Sequence, residues 1–407
     1  MNFDTPAAST PSAHPRSRRT LAACCGAHAL HDGFSDSLYV LFPLWQAAFG
    51  LSFAQVGLLK TLYSGSMAAL QVPASLLAER VGERVLLALG TLVAAFGFIF
   101  AGWTGGFPGL ALCLMLSGAG ASVQHPLGSA LTSRAFEGAQ LRAALGTYNF
   151  SGDVGKVLLP ALCAALLAVL DWHAVTSLMG VLGLVAALAI WFAVPRALHQ
   201  AVSEAARPGA PAAAGAAPGA LMNPGFISLS AIGVIDSATR MGFLTLLPFV
   251  LIAKGASVVQ IGFALSLTFA GGAAGKFFCG LIAARAGVLR TTILTELATA
   301  AGIVALPPLS LEGSMLLLPA IGIALNGTSS VLYGTVAELV PGARRARAFG
   351  VFYTLTIGAG AVSPVLYGLI GDTIGAPRTF GVIAALVLLV LPLTLALRPA
   401  LRPPQSG

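Results

Sequence analysis

The sequence predicts an all-α membrane protein, with twelve transmembrane helices arranged as two pseudo-symmetric six-helix bundles. Three observations carry this reading. Of 407 residues, 57% are hydrophobic and 9% charged, with a mean hydropathy of +0.88, whereas a soluble chain has roughly 25% charged residues. Apolar runs of span length recur along the chain between short polar breaks, which suits helices crossing a hydrocarbon core about 30 Å thick. The first half of the chain also resembles the second.

The polar tail 1–20 ends in Arg16, Arg18 and Arg19. The apolar run behind them continues without an A-x-A exit, so it reads as an uncleaved first span rather than a signal peptide. Spans are expected at about 21–47, 54–79, 84–104, 107–131, 143–169 and 173–195, forming a bundle over 21–195. Residues 196–223, RALHQAVSEAARPGAPAAAGAAPGALMN, are rich in Ala, Pro and Gly and lack apolar periodicity, which is linker composition. A second bundle over 224–398 follows, with spans at about 224–253, 258–283, 288–309, 315–340, 345–370 and 376–398, and a short tail at 399–407.

The net charge of +8 does not point to nucleic acid, because no basic stretch is interleaved with aromatics. Sixteen of the 22 Lys and Arg fall in the tails and breaks that share one side of the twelve spans. Lys254 and Arg378 fall on the other side, and Lys60, Lys156, Arg240 and Lys276 lie within spans. The positive-inside rule then predicts cytoplasmic termini, as in a bacterial-type inner membrane protein. The five cysteines lie mostly in apolar segments, so no disulfide framework is expected.

The internal repeat sets FPLWQAAFGLSFAQVGLL (42–59) over LPFVLIAKGASVVQIGFA (247–264). It pairs Pro43 with Pro248, Gln55 with Gln260 and Gly57 with Gly262. PASLLAERVGER (73–84) likewise lies over FCGLIAARAGVL (278–289), with Arg80 and Gly82 above Arg285 and Gly287. Two similar halves predict alternating access around a site near the membrane midplane.

An ionisable side chain at the bilayer centre costs from about 2.5 kcal/mol upward on insertion scales, so each is a functional candidate. In AHALHDGFSDSLYV (27–40), His28, Asp32 and Asp36 recur every four residues and share a helical face, with His31 to one side. In span 5, Asp153 and Lys156 stand three apart and are expected to pair locally, and in span 7 Asp236 and Arg240 do so at four apart. Leaving Glu296 aside, Asp32, Asp36, Asp153 and Asp236 balance Lys60, Lys156, Arg240 and Lys276. Ion pairs holding the structure together are one reading of this balance. Pairs that break and re-form between two states are the other, and a buried pair is poor value for stability alone.

Proton coupling needs a carboxyl group that can be neutral while the carrier reorients. Asp32 and Asp36, one turn apart, fit that need, and Asp153 is grouped with them. Lys156, Arg240 and Lys276 come from both halves, as an anion held between the halves would require. His28, His125, Tyr148, Asn149 and Asp236 complete the expected substrate site, with a proline-freed carbonyl or helix packing as the plainer role for His125, Tyr148 and Asn149. Glu79, Arg80 and Arg84 are expected to latch one state.

The six-plus-six spans, the linker and the loop ASLLAERVGER after span 2 resemble the major facilitator superfamily over essentially the whole chain. Within it, the first half is most similar to the fosmidomycin resistance proteins. The shared features are His28 with Asp32, FGLSFAQVGL (49–58), LQVP (70–73), GAGASVQHP (118–126) and SGDVGKVLLP (151–160). The chain departs from that branch at Leu127, where an acid often follows His-Pro, and at the charged Asp153 and Lys156. The resemblance implies a proton-coupled exporter with a central cavity, monomeric, in a branch whose members carry anionic or amphiphilic drugs outward.

The expected function is therefore a proton-coupled efflux antiporter for a small anion of carboxylate or phosphonate type, with no metal or cofactor. Uptake of an organic anion by proton symport is the alternative, since direction leaves no local signature. Metal export through His28, Asp32 and Asp36 is disfavoured by the neighbouring cations. Arsenite export through Cys24, Cys25 or Cys279 is disfavoured because cysteine in an apolar helix usually acts as a small hydrophobe. No nucleophile, zincin or paired-Cys motif appears, and the GAG at 118–120 follows no strand, so an enzyme is not expected.

Overall fold

The computed structural model describes residues 15–194, 223–340 and 345–401. Most of the linker expected at 196–223 and most of the tails 1–20 and 399–407 lie outside the described residues. The first half comprises α1 (Pro15–Phe49), α2 (Phe53–Val81), α3 (Glu83–Ala101), α4 (Phe107–Ala121), α5 (Gln124–Ala135), α6 (Gly138–Leu167) and α7 (Trp172–Ala193). The second half comprises α8 (Pro224–Ile252), α9 (Val258–Ala286), α10 (Val288–Ala305), α11 (Leu311–Leu339), α12 (Arg345–Ile374), α13 (Ala376–Leu388) and α14 (Val390–Leu397). Among the described residues there is no strand.

Among the described residues, fourteen helices make twelve crossings, because two spans are broken. Each break has the same cause. Pro126 has no N–H to donate to residue 122, and α4 gives way to α5 at Ser122–Val123; Pro392 likewise leaves residue 388 without its donor, and α13 gives way to α14 at Leu389. Among the described residues, ten crossings are long and apolar enough to span a membrane by composition. The two that are not, α1 and α2, carry Asp32, Asp36 and Lys60. Their helices run longer than the sequence suggests, α1 from Pro15 rather than residue 21.

The sequence repeat acquires a physical meaning here. Ser52 accepts from the Gln55 N–H while Gln55 Oε1 accepts from the Ser52 N–H, a capping box that starts α2. Ser257 and Gln260 repeat this at the start of α9. The paired glycines two residues on are contact points between the halves. A Cβ at Gly57 would collide with the Pro364 carbonyl of α12, and one at Gly262 would collide with Ala164 and lie 3.0 Å from the Pro160 carbonyl oxygen of α6. At the far ends of these helices, Gly82 and Gly287 turn the chain with φ of 96° and 84°, a region closed to most side chains.

The halves therefore meet along α2 with α12 and α6 with α9. One large apolar core, including Phe34, Tyr39, Trp45, Phe243, Leu247 and Phe380, spans both halves at the end away from the termini. Toward the termini the core divides into a cluster of first-half residues around Leu87 and Leu131 and one of second-half residues around Leu229 and Val336. Polar bonds across the divide follow the same pattern. Asp372 accepts from the Phe53 and Ala54 N–H groups at 2.6 and 3.1 Å, Ser266 donates to the Val157 carbonyl at 2.7 Å, and the Tyr39 hydroxyl donates to Met241 Sδ at 3.3 Å. The molecule is closed at the loop end and parted at the end that carries the termini.

Gly57→Ala should lower thermal stability in detergent micelles by the cost of overpacking, about 1–3 kcal/mol. Gly65→Ala, on the same helix with no neighbour within 4 Å of an added Cβ, should raise stability by about 0.5–1 kcal/mol through helix propensity. Equal effects at both positions would remove Gly57 from the interface between the halves.

Candidate functional site

The site is built largely on helices that are broken or carry an internal proline, with its residues away from the ends of the spans. In α1, His28 and Asp32 share a face as their spacing requires, with His28 Nε2 3.4 Å from Asp32 Oδ2. Both are buried, and the close α1–α6 crossing that brings Lys156 to them depends on Gly155, where a Cβ would collide with the Ala29 carbonyl. His28 Nδ1 donates to the Tyr148 carbonyl at 2.7 Å, since a carbonyl can only accept, and its ring stacks on Tyr148 at 4.3 Å. Gln124 Nε2 in turn donates to the Tyr148 hydroxyl at 3.1 Å. Tyr148 is therefore a wall that orients His28.

Asp32 gathers three partners. Lys156 Nζ lies 3.3 Å from Oδ2, His28 Nε2 3.4 Å from the same oxygen, and His125 Nε2 3.6 Å from Oδ1. His125 stands just past the α4–α5 break, edge-on to His28 at 5.2 Å, with its side chain 42% exposed. His28, Asp32 and His125 offer three ligand atoms within 4.8 Å of one another. The Lys156 ammonium already occupies the carboxylate that a metal ion would need, so the donor set fits a cation poorly.

The local Asp153–Lys156 pair expected from spacing does not form. Lys156 turns to Asp32, and Asp153 Oδ1 accepts from Lys276 Nζ of the other half at 2.5 Å. Interhelical partners win because the two side chains leave α6 toward different neighbours, α1 and α9. Asp236 and Arg240 do not pair directly either. Ser329 of α11 stands between them, accepting from Arg240 Nη1 and donating to Asp236 Oδ2, both at 3.1 Å.

A cavity of about 150 Å³ opens where the halves meet, lined by Asp36, Asp153 and Lys156 from the first half and by Arg240, Met241, Leu244, Phe269, Gly272, Ala273, Lys276 and Asn326 from the second. Asp36 faces it without a hydrogen bond or a cation at ion-pair distance among the described residues. Five of the expected residues thus line one space, and Asp32, His28 and His125 form its first-half flank. Asp236 stands behind Arg240. Asn149 is exposed, outside this lining.

Three other groups differ from expectation or extend it. Lys60, fully buried, donates to the Ser35 carbonyl and hydroxyl at 2.9 and 3.0 Å and lies 4.5 Å above the Tyr39 ring, so α1 backbone and aromatic faces hold it in place of a carboxylate. His31 Nε2 donates to Thr91 Oγ1 at 3.0 Å, whose own proton goes to the Leu87 carbonyl, which makes it a packing residue. In the expected latch, Glu79 and Arg80 are exposed where the halves part, and Arg84 is engaged inside its own bundle, donating to the Trp191 carbonyl and lying over its ring. The ion pair near that loop is Arg134 with Glu83, at 2.6 Å. Met241, Ser329, Asn326 and Asp372 were not anticipated; an asparagine within an apolar span and an acid at a span end are the signals that mark the last two.

Comparison with known proteins agrees with this architecture. The chain is 24% identical over 383 residues to the fosmidomycin resistance protein of Escherichia coli K12, covering 91% of this chain and 90% of that one. It is 26% identical over 147 residues to a probable L-galactonate transporter of the same organism, covering 36% and 32% of the two chains. A putative multidrug resistance protein of Salmonella paratyphi B is 28% identical over 128 residues, 31% and 27% of the respective chains. Among solved structures, a bacterial homolog of the human lysosomal transporter Spinster, inward-facing and unoccupied, superposes with a TM-score of 0.78 at 18% identity, over 96% of this chain and 99% of that one. The nucleoside transporter NupG gives 0.76 at 12% identity, over 94% and 100%. At these identities the two structures speak for the fold alone. The family model of the major facilitator superfamily matches residues 24–318 and 229–407. This multi-pass membrane protein belongs to the major facilitator superfamily and is a transporter, not an enzyme.

Proposed function

We propose that the chain is a proton-coupled carrier of a small anion of carboxylate or phosphonate type, working as an efflux antiporter in a bacterial inner membrane. The observation that carries the substrate class is the convergence of Lys156, Arg240 and Lys276, from both halves, on one cavity. The lining itself carries three cations against Asp36 and Asp153, with Asp32 behind Lys156. Its volume of about 150 Å³ suits a compound smaller than a drug-sized ligand, whose pockets run from about 300 Å³. Arg240 offers a planar fork to two oxygens and the lysines offer point charges. Export is supported by the relation to a resistance protein along nine-tenths of both chains.

Asp36 is the acid we assign to the coupling proton. Asp32 is held by Lys156 and two imidazoles, whereas Asp36 faces the cavity without such a partner. With cytoplasmic termini, as the distribution of Lys and Arg favours, the parted end opens inward, the state in which a cytoplasmic substrate would enter. Closure of that end would bring the exposed Arg80 and Glu79 toward the second half, where a latch could form.

The charge count supports a second reading. A proton on Asp36 makes the cavity more positive and so favours anion and proton together, which is symport. Substrate added to proteoliposomes separates the two, because antiport and symport move the lumenal pH in opposite directions.

Asp36→Asn should cut transport driven by a pH gradient by about tenfold or more, while exchange of labelled for unlabelled substrate continues. Undiminished pH-driven flux in this variant would dismiss Asp36 as the coupling acid. Lys156→Gln removes a buried cation from Asp32 and from the anion, and should weaken substrate binding by about 1.5–3 kcal/mol, or roughly 10- to 150-fold in Kd. Arg240→Lys keeps the charge and loses the fork, so a smaller loss is expected. Unchanged affinity in both would refute an anion held between the halves.

A further inference from the structure

Glu296 is the acid that the balance of intramembrane charges leaves over. It sits in the middle of α10, 2% exposed, and its Oε1 has no hydrogen-bond partner. Thr292 and Thr299, four residues before and three after, lie on the same helical face. Both are 1% exposed, and their hydroxyls are also without partners. The Thr328 hydroxyl of α11 lies beside the carboxyl as a polar neighbour from another helix, and it also donates to Thr295 at 2.7 Å. A carboxylate offers only acceptors, so an ionised Glu296 leaves this pocket a charge without a cation and an oxygen without a donor. A neutral carboxylic acid removes that uncompensated charge from the pocket.

Among the described residues no cation pairs with Glu296, and Arg290 of its own helix is exposed. Of the elements packed on α10, α11 has its acids Glu312 and Glu338 only near its ends, and α13 and α14 carry no ionisable side chain except Arg378 by the far loop. On α9, Lys276 is engaged with Asp153 and Arg285 is exposed. The charge that reaches Glu296 is a like one, Asp236 of α8. Asp236 is joined through Ser329 to Arg240, which lines the central cavity. Next to this relay lies a pocket of about 10 Å³, the size of a single water.

We propose that Glu296 is a second proton-carrying acid, holding a proton in this state and exchanging it with Asp236, whose charge is tied to the central cavity through Ser329 and Arg240. In the exchange the Glu296 O–H bond breaks as one forms on an Asp236 oxygen, so the pair carries one negative charge before and after. An anion that takes Arg240 from Ser329 alters the field on Asp236, which links substrate occupancy to the second proton. The proposal rests on the proton-coupled reading above and assigns it a second site, in the opposite half from Asp36.

The test compares wild type with Glu296→Gln, which keeps shape and hydrogen bonding, using two measurements. Infrared spectra of the purified protein near neutral pH should show a protonated-carboxyl C=O band that is lost in Glu296→Gln and retained in Glu296→Asp. In proteoliposomes, Glu296→Gln should lower the ratio of protons to substrate moved and flatten the pH dependence of substrate affinity. A band that survives Glu296→Gln, or a wild-type proton ratio in that variant, overturns the proposal while leaving Asp36 in place. Wild-type protein that moves no protons with its substrate overturns the proton-coupled reading itself, and this proposal with it.

Discussion

A charge inside a bilayer has to be matched within the protein, and the rest of this structure follows from how that matching is done. Apart from His28 with Asp32 on α1, the acids and bases of α1, α6, α8 and α9 do not find partners on their own helices. They reach across to Asp32 from Lys156, across the halves from Lys276 to Asp153, and through Ser329 from Arg240 to Asp236. Each link binds two helices, so separating the helices strands a charge in a medium where that is costly. The same links are the ones an anionic substrate can compete for. Stability and transport therefore draw on one set of groups, and the composition of α1 and α2, too polar to pass as ordinary spans, is the consequence.

The second constraint is close approach without charge. Where α2 crosses α12 and α9 crosses α6, glycine meets a proline carbonyl in both halves. Proline at those positions bends a helix, and glycine lets the other helix enter the bend. The repeated Ser-x-x-Gln capping boxes fix where these helices begin. Two symmetric, nearly featureless contacts of this kind can act as bearings about which the halves tilt, while the Asp372 carboxylate on the first turn of α2 holds the loop end shut in this state.

Much of the architecture was legible from the chain, for physical reasons. Twelve apolar runs had to be helices because hydrocarbon leaves backbone groups no other partner, and the repeat at 42–59 and 247–264 marked the symmetric contacts before their meaning was visible. The shared face of His28, Asp32 and Asp36 followed from helical periodicity. Periodicity fails one step later, because it ranks partners on the same helix first. Asp153 with Lys156 and Asp236 with Arg240 look like local pairs on that basis, and only the packing of α6 on α1 and α9, or of α8 on α11, shows where each charge goes. Glu79 and Arg84 illustrate the same limit: loop acids and bases were visible, but Arg84 is absorbed by Trp191 in its own bundle.

The central claim is that one set of matched charges sits between two bodies that close alternately at either end. Pulsed electron resonance distances test it directly, with labels at the exposed positions Arg80 and Arg285 at the parted end, and at Ala48 and Ala253 at the loop end. In a background without native cysteines, acidification or saturating substrate should shorten the first distance and lengthen the second in the same molecules. Both distances remaining fixed under every such condition would contradict the account.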